Sequence, residues 1–261
     1  MKRLLTAVAF LTRAPLPSSW EFNAADVGRA SLLFPLVGAA LGLINLLILH
    51  VFTLRISVGA YFTVGSPWLP APVIAVLLIA ISAWMTGAMH LDGLADMADG
   101  FGGGRDREEV LRIMRDHAIG AYGAVALILL VLIKVTTLSS LIEHGAAGRY
   151  LIIAPALGRW ASVPLGRFLP YARRQDGGLG AAITEHVGWF ELIGASLLAG
   201  ICTLYLASWR GAACWLAVIA VTALNASICR RRIGGVTGDT LGANIEVCEA
   251  VVLLVAVALT R

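Results

Sequence analysis

A run of roughly 20 apolar residues is long enough to cross the hydrocarbon of a bilayer as a helix, and this chain contains such runs repeatedly. They are Ser31 to Phe52, Leu69 to Leu91, Ala121 to Glu143, Tyr150 to Phe168, Gly188 to Trp209, Ala212 to Ile228 and Ala243 to Thr260. Tyr150 to Phe168 is the weakest, because Pro155, Arg159 and Pro164 interrupt it, and six or eight spans are open alternatives. With 59% hydrophobic and 14% charged residues in 261, the bilayer is the expected solvent. The expected fold is therefore all-α: a polytopic integral membrane protein of about seven transmembrane helices plus interfacial helices. No repeat, low-complexity tract or soluble insert interrupts the chain, so residues 1–261 read as a single membrane-embedded domain.

The opening, MKRLLTAVAFLTRAPLPSSW, has a basic tip and a short apolar run, but Arg13 follows at once and no A-x-A site appears. It reads as an uncleaved amphipathic helix in the membrane interface. Cys202, Cys214, Cys229 and Cys248 lie in or beside apolar segments without C-x-x-C spacing, as small packing residues would. With the N-terminus inside, one compartment receives Lys2, Arg3, Arg13 and Arg29, then Arg105, Arg107, Arg112 and Arg115, then Arg167, Arg173 and Arg174, then Arg230, Arg231 and Arg232. That is 14 of the 20 basic residues, against Arg55, Arg149, Arg210 and Arg261 opposite, and it selects an N-in, C-out arrangement. The net charge of +4 thus reports topology, and no nucleic-acid partner is expected.

The stretch from His90 to Gly123 holds seven of the 16 acidic residues. Asp92, Asp96 and Asp99 are spaced i, i+4, i+7, which at about 100° per residue puts three carboxylates within roughly 60° on one helix face. Oxygen ligands so placed suit Mg²⁺ or Mn²⁺, completed by water and substrate phosphates; a solvated helix end is the alternative. His90 projects from the opposite face and is not expected to be a ligand. Gly100, Gly102, Gly103 and Gly104 are expected to break the helix and bring backbone N–H groups toward a polyanion, unless they are merely a flexible turn. Asp106 to Glu109 starts a further helix with Val110, Leu111 and Met114 on one face. Arg105 and Arg115 are phosphate-binding candidates.

Two later loops share the same side. Arg173 beside Tyr171 could contact a phosphate and a base ring, or belong to an ordinary basic loop. Thr237 and Asp239 sit in a glycine-rich turn opening the last span, a setting for an anion or a carboxylate-bound ion, although Asp239 could be only an N-cap. Glu246 and Glu249, inside that span, have no such explanation. Lys134 and Arg159 are costly in lipid and are expected to face a polar cavity or pair with acids.

AFLTRAPLP (Ala9 to Pro17), FPLVGAALG (Phe34 to Gly42), HLDGLADMADGFGGGRDR, MRDHAIGAYG, PYAR with GGLG, and GGVTGDTLGA (Gly234 to Ala243) together resemble the cobalamin synthase family, also called adenosylcobinamide-GDP ribazoletransferases. RRQDGGLG departs from the family's shorter acidic link at that point. The resemblance implies a late step of cobalamin nucleotide-loop assembly at the cytoplasmic face of a bacterial inner membrane. Adenosylcobinamide-GDP would be joined to α-ribazole or its 5′-phosphate, with GMP leaving. It implies Mg²⁺ on Asp92, Asp96 and Asp99, a hydroxyl proton accepted by Asp99 or Asp239, and substrate contacts from Gly102, Gly103, Gly104, Arg105, Arg115, Arg159, Tyr171, Arg173, Thr237 and Glu246. Membrane lipid is the expected surrounding partner, and a homo-oligomer is compatible with such a chain. Asp96 to Gly100 also reads D-x-x-D-G, part of the CDP-alcohol phosphotransferase signature, but the remainder of that signature is absent. An ion or solute transporter, motivated by the intramembrane charges, is the alternative outside enzymology.

Overall fold

The computed structural model describes residues 2–15, 23–53, 56–58, 62–64, 69–116, 118–173 and 179–260. Its elements run α1 (Lys2–Leu11), α2 (Ala24–Ala30), a 3₁₀ turn (Ser31–Leu33), α3 (Phe34–Thr53), β1 (Ile56–Val58), β2 (Phe62–Val64), α4 (Ala71–Thr86), α5 (Met89–Gly103) and α6 (Arg107–Ile113). They continue with α7 (Ala121–Glu143), α8 (Ala147–Phe168), α9 (Leu179–His186), α10 (Trp189–Ile233) and α11 (Gly238–Thr260). β1 and β2 pair antiparallel with Ile56 opposite Val64, a small addition to an otherwise helical chain. Four segments are long and apolar enough to cross a membrane, Ala24–Thr53, α7, α10 and α11, and the bent pair α4 with α5 makes a fifth if counted as one span. Large apolar side chains such as Leu47, Trp84, Ile128, Leu197, Ile201 and Leu224 lie exposed on the outside, as contact with lipid requires.

α8 is the hub of the bundle and packs on α3, α10 and α11. Fifteen of its 22 residues, Arg159 among them, are buried and its two prolines are partly buried, so the helix meets mostly protein instead of lipid, which explains its weak apolar signal. Two glycines of α3 set the closest crossing: a Cβ at Gly38 would lie 2.1 Å from the Pro155 carbonyl oxygen, and one at Gly42 would lie 2.2 Å from that of Leu151. Small residues one turn apart let the two backbones touch, the packing mode that works without a hydrophobic drive between helices.

α10 is two helices merged across Ser208, whose φ of 49° and ψ of −130° are not helical. A Cβ at Gly200 would meet the Trp215 ring at 2.9 Å, and one at Gly211 would meet the Thr203 carbonyl oxygen at 2.2 Å. In a straight helix residues 200 and 215 would be about 22 Å apart. The chain therefore doubles back at Ser208, matching the two apolar runs on either side of it.

The second apolar run does not continue into the acidic stretch as expected. Gly87 (φ 68°) and Ala88 (φ 57°) are left-handed in succession, and α5 leaves α4 at 91°. Fifteen residues with three aspartates are too short and too polar to cross a bilayer alone. The aspartates thus sit on a separate helix that leaves α4 at a right angle and packs on α7 and α11.

Candidate active site

The turn at Gly87 and Ala88 aims the start of α5 at the start of α11. Gly93 closes the gap: a Cβ there would lie 2.7 Å from the Asp239 carbonyl oxygen. In the turn leading to α11, Thr237 and Thr240 hold the helix start, with the Thr237 N–H donating to Thr240 Oγ1 at 2.9 Å and the Thr240 N–H donating to Thr237 Oγ1 at 3.3 Å. This capping leaves the Asp239 carboxylate in the first turn, where it accepts from Thr237 Oγ1 at 3.2 Å and pairs with Arg173 at 3.0 Å.

Asp92, Asp96 and Asp239 form the acidic cluster. Asp96, half-buried, has its carboxyl pushed up to about 6, first by burial and then by the negative charges of Asp239 and Asp92, with Asp99 contributing least. Asp99 serves elsewhere: its Oδ2 accepts from the Gly120 N–H at 2.7 Å and its Oδ1 from the Gly123 N–H at 2.8 Å, capping α7. A Cβ at Gly120 or Gly123 would lie 2.4 or 2.3 Å from that carboxylate, so both positions need glycine. The expected face of three aspartates exists, but its third member is a helix cap, and the acid that presses hardest on Asp96 comes from α11.

Among the described residues no three His, Cys, Asp or Glu side chains gather closely enough to form a ready metal cage. The donor chemistry still fits a hard divalent cation. Mg²⁺ is ordinarily taken by one or two carboxylates with water and phosphate oxygens, and Asp96 carries repulsion from two neighbouring acids that Arg173 offsets only in part.

Two clefts flank the segment Pro170 to Arg173, which is pinned by Ala172 N–H to Val236 O at 2.8 Å and Val236 N–H to Pro170 O at 2.9 Å. A Cβ at Gly235 would lie 2.2 Å from the Pro170 carbonyl oxygen, so this pairing also rests on a glycine. The first cleft, about 290 Å³, is walled by His90, Asp92, Tyr171, Arg173 and Asp239. The second, about 560 Å³, is walled by Arg107, Arg115, Tyr171, Arg173 and Gly234. One opening is thus acidic and the other basic, with Tyr171 and Arg173 common to both.

The remaining expected site residues are placed differently. α5 runs through Gly100, Gly102 and Gly103 and ends only at the last of the run, Gly104, which is its extended C-cap. Instead a Cβ at Gly102 would meet the Tyr122 ring at 2.6 Å, one at Gly104 would meet the Val110 nitrogen at 2.7 Å, and Gly103 faces Ile113. These glycines serve close packing. Arg105 is exposed and donates its backbone N–H to Glu109 Oε2 at 2.9 Å, while Asp106 caps α6 through the Glu109 N–H. Arg159 and Glu246 lie apart from both clefts in a buried ionic network. Lys134 Nζ is 2.5 Å from Glu246 and 2.7 Å from Glu249, and Arg159 pairs with the other oxygen of Glu249. Two cations and two anions balance there, as the expectation of acid partners required, and the transporter reading loses the unpaired charges that motivated it. Arg174, Gly177 and Gly178 lie outside the described residues.

Sequence reading missed two arginines that assemble the site. Arg107 Nη2 donates to the Ala172 carbonyl at 2.7 Å and its Nε to that of Ile233 at 3.0 Å. Arg232 donates to the carbonyls of Phe101 and Gly104 at the end of α5. Their partners are backbone oxygens at helix ends and in a loop far along the chain, for which no sequence signal exists.

A bundle of long apolar helices with carboxylates and arginines brought together beside α5, α11 and the Pro170 to Arg173 segment defines a polytopic membrane protein with a charged site. The chain belongs to the cobalamin-5-phosphate synthase family, whose family model matches residues 3–257. Proteins named adenosylcobinamide-GDP ribazoletransferase are similar to it along nearly their whole length. That of Shewanella sp. (strain W3-18-1) is 35% identical over 253 residues, covering 96% of this chain and 92% of the relative. That of Pseudomonas putida (strain W619) is 39% identical over 257 residues, covering 95% of each. No solved structure matches the chain significantly.

Proposed function

We propose that this chain is an adenosylcobinamide-GDP ribazoletransferase, joining adenosylcobinamide-GDP to α-ribazole or its 5′-phosphate with release of GMP. The observation that carries the reading is the Arg173–Asp239 pair at 3.0 Å, standing between an acidic and a basic cleft. Such a pair puts a phosphate-binding guanidinium beside the carboxylates that a pyrophosphate-bound cation needs.

In this reading one or two carboxylates of the Asp92, Asp96 and Asp239 cluster, together with phosphate oxygens of the donor, would hold Mg²⁺, which would supply charge neutralisation at the pyrophosphate. Arg173 and Arg115 bind phosphate oxygens, and Tyr171 stacks on a ring at the boundary of the two clefts. The attacking hydroxyl passes its proton to Asp96 or Asp239, because both Asp99 oxygens already accept backbone N–H groups. Gly102, Gly103 and Arg105, exposed at the end of α5, would meet the outer part of the donor.

Seven spans are proposed: α3, α4, α7, α8, the two halves of α10, and α11. The N-in, C-out arrangement follows from the arginine distribution, with the clefts on the cytoplasmic side of a bacterial inner membrane. The purified protein, given both substrates with Mg²⁺ or with EDTA, is expected to release GMP and the joined corrinoid, detected by mass, only with the metal. No product in either condition would defeat the reading.

A further inference from the structure

The basic cleft, about 560 Å³, has nearly twice the volume of the acidic one. One of its walls is the α6 segment, where Glu108, Leu111 and Arg115 all line it. They are spaced i, i+3 and i+7, within about 60° of one another on one helical face. The buried Leu111 and Ile233, with Pro170 and Tyr171, give the cleft apolar surface on which a planar base can lie. Charge is graded along the same wall. Arg173 donates to the Met114 carbonyl at 3.3 Å, so its guanidinium stands at the Arg115 end of the segment. Glu108 stands six residues back from Met114, roughly 9 Å along a helix axis. It is exposed, has no hydrogen bond or ion pair among the described residues, and is the one acidic residue among those that wall the cleft. Glu109 beside it is engaged, accepting from the Arg105 N–H and pairing with Arg112. Arg107 directs its guanidinium to the Ala172 and Ile233 carbonyls.

A nucleotide whose phosphate is held at the arginine end has its sugar and base running along α6 toward Glu108. Purines differ on the edge that arrives there. Guanine presents its N1–H and its exocyclic amino group side by side, two donors that the two oxygens of one carboxylate accept together. Hypoxanthine lacks the amino group, and adenine has an unprotonated N1 whose lone pair would face those of the carboxylate. The Tyr171 hydroxyl in the same cleft offers one oxygen where the guanine edge needs two. We propose that the basic cleft is the guanosine subsite for the donor and the leaving GMP, and that Glu108 is its specificity-determining residue, accepting the N1–H and an amino N–H of guanine. The proposal rests on the transferase reading above and adds the half of the site that holds the nucleotide. A glutamate kept only for the favourable field in the first turn of a helix is indifferent to the base. Removing its charge would then strengthen the hold on an anionic nucleotide, the opposite sign to a lost guanine contact.

Titration calorimetry of the whole protein in detergent with GMP, IMP and AMP reads the subsite directly. The native protein is expected to bind GMP at least about tenfold more tightly than IMP or AMP, the scale of one hydrogen bond to a charged group. Glu108→Gln keeps the shape and removes the charge. It is expected to weaken GMP binding at least about tenfold and to bring GMP and IMP within about threefold of each other. Its melting temperature should match that of the native protein, because the side chain is exposed. A Glu108→Gln protein that binds GMP as tightly as the native one, or more tightly, overturns the proposal, and so does a native protein that binds the three nucleotides alike. GMP release from adenosylcobinamide-GDP separates the two levels. A native protein that turns over but does not discriminate among the free nucleotides defeats only the Glu108 assignment, whereas one that releases no GMP and binds none defeats the transferase reading with it.

Discussion

The aspartates of α5 share a face but not a task, and substitution separates them. Asp92→Asn, Asp96→Asn and Asp239→Asn should each leave the protein in the membrane and lower metal-dependent turnover about a hundredfold or more, since each removes charge and preserves shape. Asp99→Asn should act mainly on stability. It turns one of two oxygens that accept the Gly120 and Gly123 N–H groups into a donor, a change that costs about 1–3 kcal/mol and is read as a lower melting temperature in detergent. Equal loss of turnover without destabilisation at Asp99 would restore it to the metal set. Asp96 adds a pH dependence. Its carboxyl titrates near 6 in the metal-free protein, and only the charged form binds a cation. Mn²⁺ affinity should therefore be flat above that pH and weaken as pH falls through about 6, an inflection that Asp96→Asn should abolish. Arg173→Ala should raise the donor KM by roughly tenfold to a hundredfold, the scale of one hydrogen bond to a charged group.

At the scale of elements, a bilayer helix can hold charge only where another helix answers it. Glu249 meets Lys134 of α7 and Arg159 of α8, and since Lys134 keeps Glu246, Glu249→Gln leaves the buried Arg159 cation uncompensated. The expected cost is about 3–5 kcal/mol, measured by thermal or denaturant unfolding in detergent. Native stability in that variant would remove the network from the account of how α7, α8 and α11 are held together. Ser208 stands in a backbone region that glycine tolerates best, and Ser208→Gly should be neutral or slightly stabilising.

For the whole molecule, the arrangement of spans predicts which face each loop occupies. Single cysteines replacing the exposed Glu108 and Arg231, in a background without the four native cysteines, should react with an impermeant thiol reagent only from the cytoplasmic side, and one replacing His144 only from the opposite side. Labelling of Glu108 and Arg231 positions from opposite faces would refute the convergence of these loops. Gly235 is unsuitable for such a label because of its contact with Pro170.

Helical class, apolar runs, the return of the chain near Ser208 and the pooling of acids, arginines and glycines in three loops were legible without coordinates, because each is a local property of a short stretch. The acidic cluster was only half legible. Angular projection placed Asp92, Asp96 and Asp99 on one face, but seven residues of helix also separate Asp92 from Asp99 by about 10 Å along the axis. A common face is therefore not a common site. Tertiary packing chose Asp239 as the closest-acting neighbour of Asp96, assigned Asp99 to the α7 cap, and moved Arg159 and Glu246 from the substrate into an internal ion network. The left-handed pair Gly87 and Ala88 and the close approach of Gly93 to Asp239 set which side of α5 meets α11. Those choices depend on contacts between residues from 21 to more than a hundred positions apart, and no local pattern encodes them.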